Sequence, residues 1–135
     1  VEGKLWNIGL KVADVAAEIR YFAAIGGTLR LHEKLETPDG IFEYALVDFA
    51  GTRLFLTPKT VFEDRMAEPP PAGLTHAVFE VADVDATLAE LKAAGTEVLL
   101  EPIEVSAGLG SRRLAFCRSP GGLVFEVLQI RESLV

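Results

Sequence analysis

The chain has 135 residues, half of them apolar and 24% charged, which is one globular domain's worth of sequence with enough apolar surface for a real core. Thirteen Lys and Arg against 20 Asp and Glu give a net charge of −7, the wrong sign for a protein that binds nucleic acid through its phosphates. A single cysteine, Cys117, excludes an internal disulfide and a cysteine metal cluster. No apolar run approaches the ~20 residues of a bilayer span, and the first residues have no signal-peptide character. A cytoplasmic protein with no nucleic-acid or membrane partner is the expectation.

In chain order, Leu5–Lys11 reads as a strand and Asp14 as the cap of a helix carrying Val15, Ile19 and Phe22 on one face. Gly26-Gly27 ends that helix. Strands follow at about 28–35, 42–49 and 52–56, with Pro38-Asp39-Gly40 as a turn. Residues 59–72 form a linker ending in Pro69-Pro70-Pro71, with Glu63-Asp64-Arg65 as a solvated charge run. The pattern then repeats. Leu74–Val81 is a strand, Asp83 caps a helix with Val84, Leu88 and Leu91, and Gly95 ends it. Strands follow at about 97–100, 112–118 and 123–129. The segment Val12-Ala13-Asp14-Val15 recurs unchanged as Val81-Ala82-Asp83-Val84, at an offset of 69, and the closing strands match at an offset of 71. The chain is therefore a duplication of strand–helix–three strands, with modules at 4–58 and 73–130 in a single domain 1–135. Modules of about 55–60 residues are marginal alone, so the two should share a core or a cleft.

Strand alternation places the candidate site. Ala77, Phe79 and Val81 form the set that faces the second helix, which sends His76 and Val78 to the other face. In the last strand, Phe125 and Val127 face the helix and Glu126 faces away. His76 and Glu126 thus share one sheet face. They suit two metal ligands, a general acid and base, or a hydrogen-bonded polar pair. The matching first-module positions hold Asn7 and Phe55. By the same alternation Trp6 belongs with Ile8 and Leu10 on the helix side. Arg112 and Arg113 project to opposite faces, and Arg113 is placed with Phe55 and Val78 among the residues lining a ligand cavity. His32 reads as a rim residue, Cys117 as a small buried hydrophobe, and Gly108-Leu109-Gly110 as a flexible cavity rim.

The duplicated pattern resembles the vicinal oxygen chelate superfamily, the group of glyoxalases, bleomycin resistance proteins and extradiol dioxygenases. The likeness rests on Leu74–Asp85, where a His opens an apolar strand that leads to an Asp-capped helix. It rests also on Ser119-Pro120-Gly121-Gly122-Leu123-Val124-Phe125-Glu126, where Ser119 replaces the usual Asp. The resemblance implies an α+β fold of two βαβββ modules cupped around a small-molecule cavity, often in a homodimer. It also implies four metal-ligand positions, on the first and last strands of each module. This chain holds His76 and Glu126 at two of them, Asn7 at the third and Phe55 at the fourth. Three readings follow. One is a protein that binds a small molecule beside an incomplete metal site. Another is a lyase, isomerase or dioxygenase that uses one divalent metal (Zn, Mn, Ni or Fe(II)) on a substrate with vicinal oxygens, with His76 and Glu126 catalytic. A third is a metal-free enzyme with His76 as base. Glu43, Glu80 and His32 are candidates for a missing metal ligand.

Overall fold

The computed structural model describes residues 1–135. Both modules follow the expected order. The first runs β1 (Gly3–Lys11), α1 (Val15–Ala24), β2 (Thr28–Thr37), β3 (Gly40–Phe49) and β4 (Thr52–Thr57). The second runs β5 (Gly73–Val81), α2 (Val84–Ala93), β6 (Glu97–Ala107), β7 (Gly110–Arg118) and β8 (Val124–Ser133). β6 is much longer than its sequence pattern suggests, because irregularities between Val98 and Ile103 interrupt the alternation.

Each helix starts where its aspartate can cap it. Asp14 accepts from the Ala17 amide at 3.1 Å, and Asp83 accepts from the Ala86 amide at 3.0 Å. The eight strands form one mixed sheet in the order β2-β3-β4-β1-β5-β8-β7-β6. The modules meet at its centre, where β1 and β5 pair antiparallel within the chain. The sheet curls until its edges approach. Glu33 on β2 accepts from the Gly108 amide, just beyond β6, at 2.5 Å, and also from the Tyr44 hydroxyl at 2.6 Å. Burial and this hydrogen bond hold the Tyr44 phenol well above the usual tyrosine range.

Three apolar clusters result. One lies under α1, around Val15, Val47 and Leu56. A second lies under α2, around Val84, Leu88 and Val127. The largest fills the concave face and draws on both modules, with Tyr44 and Leu46 from one and Leu114 and Phe116 from the other. Modules of a size that is marginal alone are thus joined by the core they share. No helix is long and apolar enough to cross a membrane.

The linker is more than a spacer. Val61 and Phe62 are buried in the shared core. Glu63 opens a single 3-10 turn (Glu63–Arg65), and its carboxylate receives Lys11 at 2.9 Å and the Thr60 hydroxyl at 3.0 Å. Asp64 and Arg65 are exposed, as expected of a solvated charge run, and Glu63 is the member of the run that is pinned.

Candidate functional site

The concave face holds a small cavity of about 40 Å³ between the two modules. That is space on the scale of roughly three waters or a few ligand heavy atoms. His76, Glu126, Asn7, Phe55 and Val78 all line it, so the alternation along β5 and β8 reads as expected from sequence. The imidazole Nε2 lies 3.8 Å from a Glu126 carboxylate oxygen, and both residues are buried.

The surroundings of His76 fix its ring. Phe62 and Phe116 meet it edge-on, each with centroids 5.3 Å away. Gly9 stands opposite His76 on β1, and a Cβ there would collide with the imidazole. The Thr75 hydroxyl lies 2.9 Å from His76 Nδ1 and donates to the Gly9 carbonyl at 3.0 Å. That hydroxyl has one proton, and the carbonyl can only accept it. Thr75 Oγ1 therefore accepts from Nδ1–H. In the neutral ring this leaves the lone pair on Nε2, the nitrogen nearest Glu126.

Two residues sit differently from expectation. Trp6 lines the cavity instead of packing under α1, because β1 bulges. Leu5 pairs with Phe79 and Asn7 pairs with the very next residue, Val78, so Trp6 is the extra residue and the alternation slips. Arg113 is not in the cavity. It lies on the far face of β7, held by Asp85 at 2.9 Å and Glu104 at 3.4 Å. Its neighbour Arg112 is the cavity residue, 3% exposed, with the guanidinium carbon 4.6 Å from the Trp6 ring centre. β7 is buried on both faces, with Leu114 and Phe116 on one and Ala115 and Cys117 on the other. Apolar alternation therefore could not tell the faces apart.

The remaining candidates lie outside the cavity lining. His32 bonds Glu43 at 2.8 Å, and Glu80 pairs with Lys4 at 3.5 Å. None of the three completes a ligand set. Cys117 is fully buried, and burial pushes its thiol up to about 11, so it is no nucleophile at neutral pH. The Gly108–Gly110 turn is tied down: Leu109 is buried and its carbonyl accepts from Arg112 Nη2 at 3.0 Å.

The donor set fits a divalent ion in part. Two donors on one ion at ~2.1 Å and a tetrahedral angle lie about 3.4 Å apart, close to the His76–Glu126 spacing of 3.8 Å. Asn7, 2% exposed and in the same cavity, offers an amide oxygen. No three His, Cys, Asp or Glu side chains converge anywhere in the chain, and Phe55 at the fourth position ligates nothing. Bound on His76, Glu126 and Asn7, such an ion would act as a Lewis acid toward ligand oxygens.

Known proteins match this architecture. A hypothetical protein from Bacillus halodurans superposes with a TM-score of 0.72 at 19% identity, over 98% of each chain. A variant of methylmalonyl-CoA epimerase from Streptomyces coelicolor, in complex with 2-nitronate-propionyl-CoA, superposes with a TM-score of 0.69 at 22% identity, over 96% of each chain. A mutant 4-hydroxymandelate synthase from the same organism gives 0.67 at 18% identity, over 97% of this chain and 49% of that one. At such identities the likeness is one of fold. No curated protein matches the sequence. The sequence profile of one family, however, spans residues 4–127 and so reaches from β1 through β5 to the first residues of β8, Glu126 among them. The chain belongs to the Glyoxalase/Bleomycin resistance protein/Dioxygenase superfamily.

Proposed function

We propose that this protein binds a small oxygen-bearing molecule in the cavity between its modules, with the polar end of the ligand at His76, Glu126 and Asn7. The observation that carries this reading is the Thr75–His76 hydrogen bond, which leaves a histidine lone pair beside a carboxylate in a mostly apolar enclosure. Nε2 accepts a ligand hydroxyl there, and Asn7 supplies both a donor and an acceptor. The apolar walls, Val78, Phe55 and Leu128 among them, cover the rest. A homodimer in the cytoplasm completes the reading. The exposed Leu5, Leu74 and Leu123 are apolar surface that a second copy would cover.

The second reading is a lyase, isomerase or dioxygenase that depends on a divalent metal and acts on vicinal oxygens. The same Nε2 lone pair favours it, since a ligating histidine needs Nε2 free and Nδ1–H held.

One experiment separates the two. Protein purified without chelator or histidine tag is assayed for metal, then titrated with Mn, Ni, Zn and Fe(II), and wild type and His76→Ala are screened against small metabolites by thermal shift. Metabolite shifts that vanish in His76→Ala, with no stoichiometric metal, are the expected result. Stoichiometric metal lost in His76→Ala would favour the enzyme. Metabolite shifts unchanged in the variant would overturn the cavity reading.

A further inference from the structure

Arg112 is the least satisfied polar group in the molecule. It is 3% exposed, and no carboxylate lies within ion-pair distance of it. Its Nη2 donates to the Leu109 carbonyl at 3.0 Å, and its Nε is fully buried with no acceptor. The guanidinium packs on Trp6, whose ring also carries Arg53 at 4.2 Å. Glu126, in the same cavity, acts on it by charge from beyond ion-pair distance, so a buried cation with an unpartnered Nε is costly to hold and calls for an explanation.

The first module shows what packing alone would place here. Across the sheet Leu46 neighbours Phe55, and Phe116 neighbours Glu126, so β3 and β7 occupy equivalent places. Four residues before Leu46 stands Phe42, buried and apolar. Four residues before Phe116 stands Arg112. An aromatic residue fills this place in one module and a cation fills it in the other. The cation lies in the cavity that also holds His76 and Glu126.

We infer that the cavity selects small carboxylates, an anionic ligand oxygen pairing with the Arg112 guanidinium while the rest of the molecule lies toward His76 and Asn7. The inference rests on the cavity reading above and specifies the ligand class. Arg112 selects charge and His76 meets a hydroxyl or carbonyl, so a short oxyacid satisfies both. Desolvation lowers the Arg112 pKa, the charge on Glu126 in the same cavity opposes that shift, and a ligand anion would oppose it further.

The test uses matched pairs of probes that differ only in charge: pyruvate against pyruvamide, and lactate against lactamide. Each is titrated into wild type, Arg112→Gln, Arg112→Lys and His76→Gln, followed by thermal shift and by the arginine Nε–H resonances in 15N NMR. Wild type should bind each acid at least tenfold more tightly than its amide, and the Arg112 Nε–H signal should move on titration. Arg112→Gln should erase the preference and Arg112→Lys should keep part of it. If Arg112→Gln does not fold, the wild-type resonance and Arg112→Lys still decide. Equal binding of acid and amide, lost in His76→Gln, would sink the anion inference and leave the cavity reading standing. Acid binding that depends on Arg112 but not on His76 would support the inference and count against the polar floor. Absence of binding by all four probes, with Arg112 Nε–H unmoved and served by a structural water, would overturn both.

Discussion

The two modules share a trace and differ in what they place inside it. β1 and β5 open each module, and β4 and β8 close each one beside its opening strand, in parallel pairs. Both helices begin at an aspartate in the same tetrapeptide. On the concave side the second module presents His76, Glu126 and Arg112, and the first presents Asn7, Phe55 and Phe42. The backbone of a duplicated unit is held by caps, turns and the clusters under its helices, and these are alike in both halves. The concave side chains join one module to the other, and within that shared core the first half supplies mostly packing while the second carries polar groups.

That contrast can be broken most sharply at Phe55. Its ring stacks on Tyr44 with centroids 5.0 Å apart and planes 11° apart. Phe55→Glu would restore the fourth carboxylate position and remove this stack. Losing a core aromatic costs about 3–5 kcal/mol, and Phe55 is only partly buried, so a loss of about 3 kcal/mol is expected by urea denaturation. If the backbone equivalence is real, the variant should also bind Mn or Zn at least about tenfold more tightly than wild type, or about 1.4 kcal/mol. Loss of stability with unchanged metal affinity would show that position 55 is not aimed at His76 and Glu126.

Gly9 sharpens the comparison from the other side. Its counterpart, at the offset of 69, is Val78, so the first module lacks a side chain where the second has one. The gap is filled by the His76 ring. Gly9→Ala should overpack this contact, costing about 2 kcal/mol, and should turn the imidazole away from Glu126. A drop in thermal stability together with loss of any His76-dependent ligand shift is the expected outcome. An alanine accommodated with neither effect would mean that the His76 position does not rely on the missing side chain.

These residues also show what the sequence could and could not disclose. The duplication, both helix starts and the His76–Glu126 face were legible, because a repeated capping aspartate and a strand with one helix-facing apolar set are strong local signals. Trp6 lies on the face opposite to its expected one because a bulge leaves no mark in the alternation of apolar residues. Arg112, not Arg113, faces the cavity, a choice the pattern does not carry because both faces of β7 are apolar. Gly9 and Thr75 carry no signal of their own, since their importance exists only across the β1–β5 pairing. Phe62 was hidden in a linker whose prolines suggested a spacer. In each case the missing information was the register of one strand against another, or contact with a distant segment.

The caps offer the smallest and cleanest comparison. Asp14 and Asp83 make the same bond, at 3.1 and 3.0 Å, and neither touches the concave face. Replacing either by alanine should cost about 1 kcal/mol. The two caps share no partner, so the double variant should lose about the sum, within ~0.5 kcal/mol. α2 has one further tie, the Gln129 side chain accepting from the Val84 amide at 3.0 Å. Gln129→Ala should therefore weaken the second module alone, by about 1 kcal/mol, and leave the Asp14→Ala increment unchanged. Urea denaturation of these four variants and of the Asp14→Ala/Gln129→Ala double variant checks this. If Asp83→Ala proved nearly silent while Asp14→Ala cost its full amount, Gln129 would be the true anchor of α2. The repeated aspartate would then be a relic of duplication in one half and a working cap in the other.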